Sequence, residues 1–239
     1  MTPDPHPRLP PGLLDLLRSV DTPTVCNAIE TAQGKRGFQG YTRGTMLCSA
    51  PVDPPMVGFA VTATIAALSP TDEAPEVIRA RRMDYYRAMA EGPRPALAVI
   101  QDTDFPACVG AFWGEVNTTV HKGLGLSGAL TNGVMRDLGD MASDFLVVAG
   151  SIGPSHAFVR VTGIGTPVTI FGLTVAQGDL IHADRHGAVC IPPEVIPELA
   201  DAIARMRDAE AIILTASRAP GFDFAAFQTA WTAFEKART

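Results

Sequence analysis

Gly128-Ala129-Leu130-Thr131-Asn132-Gly133-Val134-Met135-Arg136-Asp137 is the stretch that decides how this chain reads. Small and apolar residues run up to two adjacent, opposite charges. Ser127 to Asn132 is predicted to be a buried strand, and the strand delivers Arg136 and Asp137 to its own tip. Arginine carries a fixed cation on a planar fork that suits carboxylates. Aspartate is a hard oxygen ligand suited to Mg²⁺ or Mn²⁺. Taken alone, the dipeptide is an exposed ion pair at a helix start, which is common and nearly neutral in stability. Its surroundings give it more content.

On the N-terminal side, Val57-Gly58-Phe59-Ala60-Val61-Thr62-Ala63-Thr64-Ile65 alternates and is β-branched, which predicts a strand. Glu76 to Glu91 has the spacing of an amphipathic helix, and Ala96 to Gln101 is a short apolar run that predicts a buried strand. Ala107 to Leu124 reads as a helix opening near Gly114-Glu115. On the C-terminal side, Leu138 to Ala142 reads as a helical turn or two, and Phe145 to Ala149 as another buried strand. Residues 157–192 change character, with short strands punctuated by Gly163, Gly165, Gly172, Gly178 and Gly187, an antiparallel or barrel-like pattern.

The periphery is helical. Residues 1–11 carry five prolines and read as an extended arm, and Leu13 to Val20 has helical spacing. Asp21-Thr22-Pro23 restarts a helix that runs through Ala32, with Asp21 or Thr22 as cap and Pro23 in its first turn. Pro193 to Arg207 is predicted to be a helix that can run on through Leu214. The tail ends on a helical stripe of Phe224, Phe227, Trp231 and Phe234, read as core or subunit contact. This divides the chain into an arm and helix over 1–20, a core over 21–195 and a helical extension over 196–239.

Composition narrows the function. Charged residues are 18% of the 239, below the usual quarter, which predicts surface covered in a homo-oligomer. Net charge is −6 and no Lys/Arg-rich block appears, so no nucleic-acid footprint is visible. No apolar run reaches the roughly 18–20 residues of a membrane helix. Cys26, Cys48, Cys108 and Cys190 are scattered without zinc spacing, and with no apolar leader the expected compartment is the reducing cytoplasm. The GxxxxGK[ST], GxGxxG and GxSxG patterns are all missing.

Three segments carry candidate chemistry. Gly114-Glu115-Val116-Asn117 lies where a loop enters a helix, and free N–H groups at a helix start favour anions. In a βαβ unit, helix starts and strand tips meet at one sheet edge, so Arg136 is predicted to face this turn. Gly178-Asp179-Leu180-Ile181-His182-Ala183-Asp184-Arg185-His186-Gly187 has two histidines four apart, but its flanks predict a hairpin, which argues against joint metal ligation and for a tight turn. His156 follows Gly153-Pro154-Ser155 and is either a pocket acid–base group or a satisfied loop histidine. His121 reads as structural.

Gly114-Glu115, Gly128 and Gly133 before Arg136-Asp137, Gly178-Asp179 through Ala183-Asp184 to His186-Gly187 and Pro192, and the Val57 to Thr62 strand resemble the RraA-like family. That family includes 4-hydroxy-4-methyl-2-oxoglutarate aldolase with oxaloacetate decarboxylase activity. The resemblance covers roughly residues 20–195. It implies an α/β fold, a swivelling β/β/α sandwich, assembled as a homotrimer or homohexamer with active sites at subunit interfaces.

Carried over, Asp137 would hold a divalent metal, Mg²⁺ or Mn²⁺. Arg136 would bind the oxo-acid carbonyl or enolate, and the amides of Gly114, Glu115, Val116 and Asn117 the pyruvate carboxylate. Glu115 would support metal-bound water, and Glu210 of a neighbouring subunit would add an acid. The chain departs from the family at Asn27, Gln177, His186 and Ser155-His156-Ala157, where a second substrate half would sit.

The implied activity is metal-dependent lysis of a pyruvate-derived 2-oxo acid through an enolate, with His156 or a metal-bound water moving the proton. No Schiff base is needed, and the only lysines are Lys35, Lys122 and Lys236. The alternatives are a regulatory protein of the ribonuclease-inhibitor type and an oxo-acid-binding module without turnover.

Overall fold

The computed structural model describes residues 9–238, so the predicted N-terminal arm lies mostly outside the described residues. In chain order come α1 (Leu13–Arg18), α2 (Thr22–Gln33), β1 (Leu47–Cys48), β2 (Met56–Ala66), α3 (Pro75–Glu91) and β3 (Ala96–Asp102). Next are β4 (Ala111–Trp113), α4 (Glu115–Gly123), β5 (Leu126–Thr131), β6 (Val134–Met135), β7 (Leu146–Ala149) and β8 (Ser151–Ile152). Then follow β9 (Arg160–Ile164), β10 (Val168–Ile170), β11 (Leu173–Val175), β12 (Leu180–Asp184) and β13 (Gly187–Ile191). A 3-10 helix (Pro193–Glu198), α5 (Leu199–Ser217) and α6 (Phe224–Arg238) complete the chain.

β2, β3, β5 and β7 are parallel neighbours in an eight-stranded sheet. β1 closes one edge antiparallel to β7. β12 pairs antiparallel with β2 and then with β13, and β9 pairs with the far half of β2. Strands covered on both faces must be apolar throughout. β3 shows how the pleat sorts them: Ala96, Ala98 and Ile100 face a cluster with Tyr85 and Met89 of α3. Leu97 and Val99 face a second cluster built from β10, β11 and β12. A third cluster packs α1, α2 and α5 on β12 and β13. The result is a mixed α/β molecule with helices on one face of the parallel strands and further strands on the other.

Asp21 caps α2 through its Oδ1, which accepts from the Thr24 N–H at 2.9 Å. Three predicted elements differ. Ala107 to Leu124 is not one helix: Ala111-Phe112-Trp113 is fully buried and pairs with β6, so tertiary pairing overrides helical spacing, and the helix begins at Glu115. Leu138 to Ala142 forms turns instead of helix, because Asp137 and Gly139 take φ of 57° and 99°. The helix predicted from Pro193 is divided, with Pro197 inside a 3-10 turn and α5 running past Leu214 to Ser217.

Candidate active site

A small three-stranded sheet makes the site. β4, β6 and β8 lie parallel, with Ala111 opposite Val134 and Trp113 opposite Met135. The Arg136 N–H extends this pairing by donating to the Trp113 carbonyl at 2.8 Å. Residues that follow β4 therefore sit beside residues that follow β6: Gly114 meets Arg136 and Asp137. The sequence separation is closed by strand pairing, not by the dipeptide itself.

Gly114 precedes α4, and its lack of a side chain is what permits the approach. A Cβ there would stand 2.4 Å from Asp137 Oδ2 and 3.1 Å from Arg136 Cγ. The Glu115 N–H donates to Asp137 Oδ2 at 3.2 Å, and Arg136 Nε lies 3.5 Å from the same oxygen. One carboxylate oxygen is thus held by a helix start and a guanidinium. The pair is about one-third exposed, 34% and 37% for the two side chains, so its mutual attraction contributes little to stability. Asp137 is also left-handed at φ 57°, a conformation aspartate tolerates better than most residues and one that concentrates at functional positions. The Asp140 N–H closes the turn on the Asp137 carbonyl at 3.0 Å.

Beside this corner is a cavity of about 650 Å³, whose wall includes Val116, Asn117, Arg136 and His156. The structure thus brings four of the sequence-predicted residues onto one surface. The Asn117 side chain is already spent, donating to the Phe112 carbonyl and accepting from Tyr86 Oη at 2.8 Å. What it can offer a ligand is backbone. His156 is exposed, and its Nδ1 lies 2.7 Å from the Ala157 carbonyl. A carbonyl only accepts, so in the neutral ring Nδ1 carries the proton and Nε2 is free to take one.

The family model described as Aldolase/RraA matches residues 22–190. The chain belongs to the RraA-like family. Among solved structures, it resembles an uncharacterized protein from Pseudomonas syringae pv. tomato at 19% identity, covering 96% of this chain and 97% of the other with a TM-score of 0.67. It also resembles Streptomyces coelicolor RraAS2, an unusual member of the RNase ES inhibitor RraA protein family. There the identity is 20%, the coverage 90% and 100%, and the TM-score 0.63. At these identities the likeness is one of fold. No curated protein matches the chain.

In this RraA-like chain the other predicted positions lie elsewhere. Glu210 is on α5, which packs on α2 and α6, away from β4 and α4 of the same chain. The His182 to His186 segment is a hairpin, as its flanks predicted, and its buried polar side chains, His182 and Asp184, have partners inside the protein. His182 Nδ1 lies 2.9 Å from Thr22 Oγ1, and Nε2 lies 2.9 Å from the Leu17 carbonyl. Asp184 accepts from the Thr22 and His186 N–H groups at 2.9 and 2.7 Å. These residues pin α1 and α2 to β12. His121 is buried in an aromatic box, and burial pulls its pKa down to about 4.

No group of three His, Cys, Asp or Glu side chains converges anywhere among the described residues. Asp137 has one engaged oxygen and one without a partner among the described residues. That suits an octahedral cation that keeps several waters and takes only one or two carboxylates, and it does not suit a closed protein cage. No helix among the described residues is long and apolar enough to cross a membrane. Sequence reasoning missed the α3 wall of the cavity. Ile78, Arg82 and Tyr86 recur at intervals of four on that helix and all line it. That spacing was the available signal.

Proposed function

We propose that this chain is a divalent-metal-dependent lyase that cleaves a pyruvate-derived 2-oxo acid, as in aldol cleavage of 4-hydroxy-4-methyl-2-oxoglutarate or decarboxylation of oxaloacetate. One observation carries the reading: Gly114 lets a partly exposed Arg–Asp pair pack against the first turn of α4, at the edge of a cavity of about 650 Å³. The N–H groups of that first turn have no intrahelical partners and favour a carboxylate. Arg136, on the cavity wall, bears its fixed charge where the 2-oxo group would sit.

Asp137 would hold Mg²⁺ or Mn²⁺, with Glu115 orienting metal-bound water and a further acid, Glu210 in our reading, reaching in from a neighbouring subunit of a trimer or hexamer. A bound cation of this kind supplies Lewis acidity at the 2-oxo oxygen. Cleavage breaks the bond between C3 and C4 and leaves its electron pair on the pyruvate half as an enolate. Arg136 stabilises that negative charge from a preorganised position, commonly the largest contribution to catalysis. In aldol cleavage His156 Nε2 takes the proton of the C4 hydroxyl, which becomes a carbonyl, and the enolate is protonated at C3 to give pyruvate. In decarboxylation the same enolate forms as carbon dioxide leaves.

The test is pyruvate release from both compounds with Mg²⁺, Mn²⁺ or EDTA, corrected for metal-catalysed decarboxylation without protein. Metal-dependent turnover that falls about a hundredfold or more in Asp137→Asn, with the fold intact, is the expected result. A folded protein that releases pyruvate from neither compound sinks the proposal. The rival reading, a regulator of the ribonuclease-inhibitor type, expects inhibition that survives Arg136→Ala and needs no metal.

A further inference from the structure

Three arginines line the cavity, Arg82, Arg136 and Arg160, and no carboxylate does. Arg136 belongs to the reading above, and the other two have no role in it. Arg82 is exposed on α3 and pairs with no carboxylate among the described residues. Glu73, on the loop that leads into α3, pairs with the neighbouring Arg81 and lies within electrostatic reach of Arg160 without bonding to it. Arg160 opens β9, and its guanidinium donates to the Ser69 carbonyl at 2.8 Å, which fixes its position without neutralising its charge. Two guanidinium groups that form no salt bridge among the described residues therefore share a concave wall that no carboxylate lines, in a protein of net charge −6. Like charges crowded into a cleft repel each other, and an anion between them relieves the repulsion.

The guanidinium fork matches a carboxylate with two parallel hydrogen bonds. The remainder of the wall offers Ile78, Phe112 and Phe158, surfaces for a short carbon chain. At about 650 Å³ the cavity is in the range of small-molecule sites and far exceeds what a three-carbon oxo acid fills.

We infer that Arg82 and Arg160 are the residues that select for the second carboxylate, which both compounds named above carry on the far side of the bond that breaks. The word substrate in this inference rests on the lyase reading; the binding preference does not.

The experiment separates the two. Titration calorimetry in Mg²⁺ compares 2-oxoglutarate with 2-oxopentanoate, which has the same carbon count and no distal carboxylate. Neither has the 4-hydroxyl that aldol cleavage requires. The wild-type protein is expected to bind 2-oxoglutarate about tenfold more tightly, the scale of one charge-assisted contact in a partly open site. The ratio is expected to fall to about one in Arg82→Met/Arg160→Met and to be partly retained in Arg82→Lys/Arg160→Lys. Arg82→Met alone, a change on an exposed helix face, lowers the ratio even if the double variant does not fold.

Equal affinities in the wild type, a ratio that survives both methionines, or no binding of either compound overturns the inference. Pyruvate release measured in parallel tests the lyase independently. Its absence with the tenfold ratio intact removes the lyase and leaves the subsite; turnover with a ratio of one does the reverse.

Discussion

Gly114→Ala is the substitution whose consequence follows most directly from the geometry. Its φ of −167° is extended backbone that alanine adopts without strain, so the effect is purely steric. The new Cβ would lie 2.4 Å from Asp137 Oδ2, and ordinary contact begins at 3.4 Å. The carboxylate must retreat by about 1 Å. It is the end of a half-exposed side chain, so the fold yields at the cost of about one hydrogen bond, from the Glu115 N–H, or about 1 kcal/mol. For a chain of this size that lowers Tm by about 2–4 °C. A shift of the same 1 Å in a catalytic group costs on the order of a hundredfold in rate. The expected variant is folded and nearly inactive: pyruvate release down about a hundredfold, with circular dichroism and Tm close to wild type. Turnover within about threefold of wild type would refute the reasoning, since Asp137 would then not need the place that Gly114 clears for it. Loss of the folded state would refute it differently, by showing that the corner is structural.

Two further outcomes concern stability. Arg94 donates to the carbonyls of Met89, Ala90 and Gly92 at the end of α3 and to Leu124 just beyond α4, at 2.7–3.0 Å. Arg94→Met orphans these acceptors where they are partly exposed, and chemical denaturation is expected to show a loss of about 2 kcal/mol. His121 is held neutral by burial, with its pKa taken from 6.5 to about 4, and burial lowers the pKa of His182 as well. The unfolded chain therefore binds protons that the folded one refuses. The His121 contribution, about 3 kcal/mol at about 1.4 kcal/mol per pKa unit, is complete above pH 6.5 and is lost as pH falls toward 4. Urea unfolding at steps from pH 7.5 to 4 checks it, and a flat profile between pH 6.5 and 4.5 would contradict it.

β3 and β7 were legible because a parallel sheet covered on both faces leaves continuous apolar runs, and β2 from its alternation and β-branched residues. The hairpin was legible from its turn residues. β4 was not. Ala111-Phe112-Trp113 has no alternation to mark it, and only its partner β6, more than twenty residues away, makes it a strand. The same omission hid why the site exists. A βαβ sheet edge was enough to bring Arg136 to face the Gly114 turn, but the pairing of β4 with β6 that joins them is a tertiary fact. The cavity was half legible for a similar reason. Val116, Asn117, Arg136 and His156 were in view, while Arg82 and Arg160 need α3 and β9 to be packed together before they share a wall.

Acids gather with cationic or histidine side chains both in the β12–β13 hairpin and at the α4 corner, and residue type does not distinguish the two. Spare hydrogen-bonding capacity does. In the β12–β13 hairpin, Asp184 accepts from two backbone N–H groups as well as facing the His186 ring, and both His182 nitrogens have partners inside the protein. His182 and Asp184 are also nearly solvent-free, so neither is available to a ligand. At the α4 corner, one Asp137 oxygen and the Val116 and Asn117 N–H groups have no hydrogen-bond partner among the described residues, and the Arg136 guanidinium pairs with Asp137. Burying polar groups fully paired stabilises a hinge between layers, whereas leaving them half-exposed and half-paired adds almost nothing to stability. That this corner keeps a left-handed aspartate and an unfilled glycine for so little structural return is the reason we propose a binding role for it.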